Sequence, residues 1–221
     1  MFAFMSRLYL RAAVAALAGL LVANVAASAH PHVFVTMRSQ VLYEPDGTIK
    51  GIRHAWTFDD MFSAFAVQGI DSAKRGTYSR EELAELAKTN VESVKDFEYF
   101  TAAKIDGKAV EFGDPPDDYY LEYKDEVLTL HMTVPLKTPV KARNVDIEIY
   151  DPSYFVDFSF EKDNPVTLSG APAACKLTVG RPEEMDPALA AKLFQLSPDQ
   201  KLDQSQMLGA QFANRIFVRC S

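Results

Sequence analysis

HVFVTMRSQVLYEPDGTIKGIRHAWTF, residues 32–58, carries two alternating runs on either side of Pro45-Asp46-Gly47. Val33, Val35 and Met37 alternate with Thr36 and Arg38, the period of two that a half-buried strand shows. Pro45-Asp46-Gly47 fits a type I turn closed by a glycine in the left-handed region, as in three-residue hairpin loops. The second run, IKGIRHAWTF, puts Ile52, His54, Trp56 and Phe58 on one face. An antiparallel hairpin is therefore expected. If Glu44 faces Thr48, paired positions sum to 92, so His32 comes near Asp60 and Phe34 lies opposite Phe58. His54 then falls opposite Arg38, about six residues or ~20 Å along the strand from His32.

Downstream, residues 60–98 change character. DDMFSAFAVQGI and SREELAELAKTNVESVKDF have helical spacing, with no strand pattern between them. Strand-like segments then resume in FTAAKIDGKAV, YYLEYKDEVLTLHMTVPL, KARNVDIEIYD, YFVDFSFE and ACKLTVG, separated by Asp-Gly, Pro and Asn turns. Asp186-Pro187 predicts a cap on a short helix, PALAAKLFQL, and a further helical stretch precedes the closing strand RIFVRC. The pattern predicts an α+β protein: one antiparallel β-sandwich-like domain over residues 30–221, with a helical insertion at 60–98 and short C-terminal helices.

Upstream, residues 1–29 read as a secretory signal peptide. Arg7 and Arg11 supply a basic start, AAVAALAGLLVANVA the apolar run, and Ala27-Ser28-Ala29 the small residues around a cleavage point. The run is Ala-rich and short of the ~20 strongly apolar residues that a membrane span needs. Cleavage between Ala29 and His30 places the protein in the periplasm. Losing the leader removes two arginines and no acids, which takes the formal charge from −7 to −9. An acidic chain without a basic cluster argues against nucleic acid or an anionic membrane as partner. Cys175 and Cys220 are an even count in an exported chain, so a structural disulfide is expected.

Cleavage would also create a chelate. A free N-terminal His30 offers its α-amine and Nδ1 to one ion, and a further imidazole can complete a brace for Cu(II), Ni(II) or Zn(II). Pro31 has no amide proton, which blocks the competing square-planar site built from deprotonated amides. It also keeps the chain extended, so His30 and His32 point to the same side. By the register above, Asp59 and Asp60 are the neighbouring carboxylates, and Asp60 equally suits a helix cap. Imidazole with carboxylate favours Zn(II) or Ni(II) over Cu(I), and Cu(II) is the lesser expectation. His54 and Asp151 are further candidate ligands, although His54 sits on an apolar face where a hydrogen-bonded core histidine is common, and Asp151-Pro152 reads as an ordinary turn.

The loop from Asp71 to Glu82 has the outline of a calcium-binding EF-hand, with Gly76 at its sixth position. Its third and fifth positions are Ala73 and Arg75, which supply no ligand oxygen and one positive charge, so calcium binding is not expected. Ser79-Arg80-Glu81-Glu82 is a capping box.

AHPHVFV, GIRHAWTFDDMFSAFAVQGID, SREELAELAKTNVESVKDFEYFT, IEIYDPSYFVDF and ANRIFVRC together resemble a bacterial family of unknown function, known as the periplasmic component of an uncharacterised ABC-type transport system. The resemblance implies export to the periplasm and, by context, nickel, cobalt or zinc handling. Members of that family often carry a fuller EF-hand-like loop, from which Ala73 and Arg75 depart. The leading expectation is a periplasmic transition-metal-binding accessory to an inner-membrane metal transporter, without enzymatic activity. Two alternatives stand beside it: an oxidative copper enzyme with a histidine brace, and a metal-free interaction module that docks through Met61, Phe62, Phe65 and Val67.

Overall fold

The computed structural model describes residues 32–182, 186, 188 and 209–221. The expected leader, its cleavage point, His30, and the short helix expected at 187–196 apart from Ala188 lie outside these residues. In chain order the strands are β1 (Val33–Tyr43), β2 (Thr48–Phe58), β3 (Thr101–Ile105), β4 (Lys108–Val110), β5 (Tyr120–Lys124) and β6 (Val127–Lys141). They are followed by β7 (Asn144–Ile149), β8 (Val156–Phe160), β9 (Val166–Ser169), β10 (Cys175–Gly180) and β11 (Asn214–Cys220). Helices α1 (Asp60–Ala66) and α2 (Ala84–Ser93) lie between β2 and β3. The class is α+β and rich in strands.

Two sheets account for these strands. The first has the order β5-β6-β2-β1-β8, with β9 also paired to β1; the second runs β10-β11-β7-β3-β4. Alternation along β1 and β2 buries Val35, Met37, Ile52, Trp56 and Phe58, and these side chains share one hydrophobic core with Ile147, Ile149 and Ile216 of the second sheet. α1 is tied to the first sheet because the buried Ser63 Oγ accepts a 2.9 Å hydrogen bond from Leu128 N. α2 inserts Ala87 and Val91 four residues apart, the spacing of one helix face.

The sheets are not wholly antiparallel. β8 and β9 both run parallel to β1, starting from the pairs Val33↔Val156 and Ser39↔Val166. The reason is where the chain re-enters. It leaves β7 in the second sheet and returns through residues 150–155 at the end where β1 begins, so β8 runs in β1's direction.

The hairpin register also needs correcting. Tyr43 faces Ile49, as the sum of 92 requires, but Lys50 is then passed over, and every pair from Leu42↔Gly51 to Val35↔Phe58 is shifted by one. A bulge of this kind adds one residue to one strand. Gly51 is needed beside it: a Cβ there would lie 2.6 Å from Val134 O and 2.8 Å from Pro135 Cα. The disulfide joins Cys175 to Cys220, which face each other across β10 and β11.

Between the helices, Ser79 N donates to Glu82 Oε2 at 2.7 Å and Glu82 N donates to Ser79 Oγ at 3.2 Å, the reciprocal bonds of a capping box. Ala73 N donates to Glu82 Oε1 at 2.7 Å. Both carboxylate oxygens of Glu82 are therefore engaged by backbone amides.

Candidate metal site at the start of the first strand

Three chain segments meet where β1 begins. His32 N donates to Phe155 O at 2.9 Å, and the two rings lie 4.7 Å apart. Phe155 is held there by Asp151, which is 3% exposed. Its Oδ1 accepts from Ser153 N at 2.8 Å and Ser153 Oγ at 2.7 Å, while Oδ2 accepts from Phe155 N at 3.0 Å and Val156 N at 2.9 Å. Asp151 thus shapes the loop that carries Phe155, and four donors occupy its carboxylate.

The third segment is the junction of β2 and α1. With the shifted register, Asp59 rather than Phe58 comes beside Phe34: Asp59 N donates to Phe34 O at 3.0 Å and Phe34 N donates to Asp59 Oδ2 at 2.9 Å. Asp59 Oδ1 accepts from Phe62 N at 2.7 Å, so Asp59 and not Asp60 is the N-cap of α1. Asp60 is the first helical residue, exposed, with Oδ1 turned to Met61 N at 2.9 Å.

Sequence reasoning missed one carboxylate at this end. Asp157 lies directly across from Phe34 in the parallel β1–β8 pairing. Its side chain projects to the outer face of the sheet, like that of Phe34, which puts it diagonally across from His32, roughly 8 Å away by strand spacing and rise. Burial pushes the Asp157 carboxyl above the usual carboxylate range, and no hydrogen-bond donor among the described residues offsets it. Burial and the nearby Asp157 together push the Tyr154 phenol up to about 12. The signal available in the sequence was the spacing of YDPSYFVDF, which places Asp157 six residues after Asp151 at the start of a strand.

His54 is elsewhere. It faces Ser39, seven residues beyond His32 and thus about 23 Å along the strand. It points to the inner side of the sheet and is fully buried. Its Nδ1 lies 2.9 Å from Ser39 Oγ, and its Nε2 lies 3.2 Å from Thr101 Oγ1. Because Thr101 Oγ1 donates to Tyr99 O at 2.8 Å, it accepts from Nε2–H, which leaves Nδ1 to accept from Ser39. Burial depresses the imidazole to about 3. It is a neutral core histidine with no lone pair to spare for an ion.

The structure thus brings His32, Asp59, Asp60, Asp151 and Asp157 to one end of the first sheet and leaves His54 out. Among the described residues, no three His, Cys, Asp or Glu side chains are close enough to form a metal-holding group. His30 lies outside those residues. As donors, His32 and Asp157 suit a borderline divalent ion, whereas Asp59 and Asp151 are engaged by backbone amides.

A family model described as a protein of unknown function, DUF1007, matches residues 15–220. An uncharacterized protein of Haemophilus influenzae is 24% identical over 194 residues, which cover 87% of this chain and 91% of the relative. An uncharacterized 15.5 kDa protein in the trpE 3′ region of Spirochaeta aurantia is 29% identical over 103 residues, 46% of this chain and 73% of the relative.

Proposed function

The chain belongs to the DUF1007 family of proteins of unknown function, and from that premise we propose that it is a periplasmic, non-enzymatic, transition-metal-binding accessory of a metal transport system. In this reading the leader is removed after Ala29, and the amine and imidazole of His30 chelate Zn(II) or Ni(II). His32 and one carboxylate complete the set. The observation that carries the proposal is Asp157: a half-buried carboxylate with no hydrogen-bond donor among the described residues, on the outer face diagonally across from His32. An unpaired buried carboxylate costs stability unless a cation offsets it. The position of His54 favours this accessory over an oxidative copper enzyme, which needs a second imidazole within reach. The transporter partner and the periplasmic location rest on the leader and the family resemblance. The same reading takes the two sheets as a sandwich and residues 60–98 as an EF-hand-like shape that stands without an ion.

Calorimetric titration of Zn(II), Ni(II) and Cu(II) into protein beginning at His30 tests the reading. An extra Ala before His30, and separately Asp157→Asn, should each weaken binding tenfold or more. Absence of binding by the unmodified protein would overturn the metal reading and leave an interaction module as the better account.

A further inference from the structure

We propose that the outer face of the first sheet carries a separate binding site for a small oxyanion, a carboxylate or a phosphate. Ala55 forms its floor. Across the strands Ala55 is flanked by Arg38 on β1 and His131 on β6. Arg53, two residues before Ala55 on β2, shares its face and faces Gln40. Because Ala55 is small, the long side chains around it leave a groove of about 270 Å³, closed on one side by Asn164 and Pro165 of the β8–β9 connection and by Thr167 of β9. That volume is near the lower end for ligand pockets and suits a small molecule.

Charge is what singles the groove out. The chain has 30 acidic and 23 basic residues, yet no Asp or Glu lines this groove. Several cations elsewhere on the surface pair with a carboxylate, as in Lys95–Asp114 at 2.7 Å, Lys137–Glu111 at 2.8 Å and Arg215–Glu148 at 3.0 Å. Arg38 and Arg53 have no carboxylate partner among the described residues. They are diagonal neighbours on one sheet face, roughly 7–8 Å apart at their bases, where like charges repel. Arg53 is steadied by donating from Nε to Thr133 Oγ1 at 3.3 Å, which leaves its two terminal nitrogens for a ligand. The Gln40 amide is steadied in the same way, donating to Thr167 Oγ1 at 3.2 Å. At the far rim the His131 ring stacks on Tyr120 at 4.5 Å, and its Nε2 lies 3.4 Å from Glu122 Oε2. Two guanidinium forks around a small floor match the paired oxygens that a carboxylate or a phosphate presents for bidentate hydrogen bonding. Ala55 lies about six residues along the sheet from the β1 terminus, so this site does not depend on the metal reading.

The test uses protein expressed with its leader and purified, titrated at constant ionic strength with citrate and, separately, with inorganic phosphate. The variants are Arg38→Gln, Arg53→Gln and, as a control for overall charge, Lys104→Gln on the second sheet. Saturable binding of one anion, weakened tenfold or more by either arginine substitution and unchanged by Lys104→Gln, is the expected result. Which anion binds distinguishes a carboxylate from a phosphate ligand. Both arginines are exposed, so their substitution should leave the melting temperature unchanged. The proposal is overturned if neither anion saturates, if binding is unchanged by either arginine substitution, or if Lys104→Gln weakens it equally.

Discussion

His54 and Asp157 are both ionisable and both removed from water, but burial acts on them in opposite directions. For His54 burial disfavours the cation, and the folded imidazole titrates near 3 instead of its ordinary 6.5. The unfolded chain therefore takes up a proton that the folded chain refuses. Stability from this group is complete above about pH 6.5 and is lost as pH falls toward 3, at roughly 1.4 kcal/mol per pH unit. Urea unfolding at pH 7, 6, 5 and 4 should show that slope, and His54→Asn should flatten it while lowering stability at pH 7. An equal slope in the variant would place the acid sensitivity elsewhere. For Asp157 burial disfavours the anion, so the folded carboxyl is raised and its charge opposes folding at neutral pH. Asp157→Asn should therefore raise the melting temperature of metal-free protein, with the gain shrinking as pH falls and the wild-type carboxyl is protonated. A lower melting temperature at pH 7 would mean that the carboxylate has a stabilising partner and is not held for a cation. Asp157 was hard to see in the sequence because a lone Asp at an alternating position in YFVDF looks like any solvent-facing strand residue.

At the scale of elements, local pattern goes far and stops at pairing. The 32–58 hairpin, the Asp106-Gly107 turn between β3 and β4, and the capping box at Ser79 all follow from short-range residue chemistry, and all are present. The one-residue shift in the hairpin was legible in parity. From Val33 to Val41 the buried positions on β1 are odd-numbered, and from Ile52 to Phe58 those on β2 are even-numbered, so facing pairs there must sum to an odd number, which a turn pairing Glu44 with Thr48 cannot deliver without an extra residue. Lys50 is that residue. The parallel placement of β8 and β9 was not legible, because direction is decided by where a distant loop returns. β9, four residues long and preceded by Pro165, gave little pattern of its own. Gly51 makes the bulge testable. Gly51→Ala drives a methyl against Val134 O and the Pro135 Cα, backbone atoms of β6 that cannot rotate away. It should cost about 1–3 kcal/mol, measured as a lower urea midpoint with an unchanged m-value. A neutral substitution would show that β2 and β6 can separate at this point without loss.

Across the whole molecule, the second sheet is assembled from opposite parts of the chain, and its last strand is not at its edge. β11 lies between β10 and β7, so the sheet is complete only when the final residues are in place. Nothing local brings β11 to that position: β7 ends at Ile149 and β11 starts at Asn214. The Cys175–Cys220 disulfide spans 45 residues and tethers the β10 and β11 segments to each other even in the unfolded chain. In the chain-entropy account, a loop of that size stabilises the fold by about 4 kcal/mol. At roughly 2–4 °C per kcal/mol for a chain of this length, reduction should lower the melting temperature by about 8–16 °C. Circular dichroism melts with and without reductant, together with a Cys175→Ala/Cys220→Ala protein, measure this directly. The double variant and the reduced wild type should coincide, because both lack only the cross-link. If neither melts lower, backbone pairing holds the closing strand without the cross-link, through six facing pairs with β10 and six with β7.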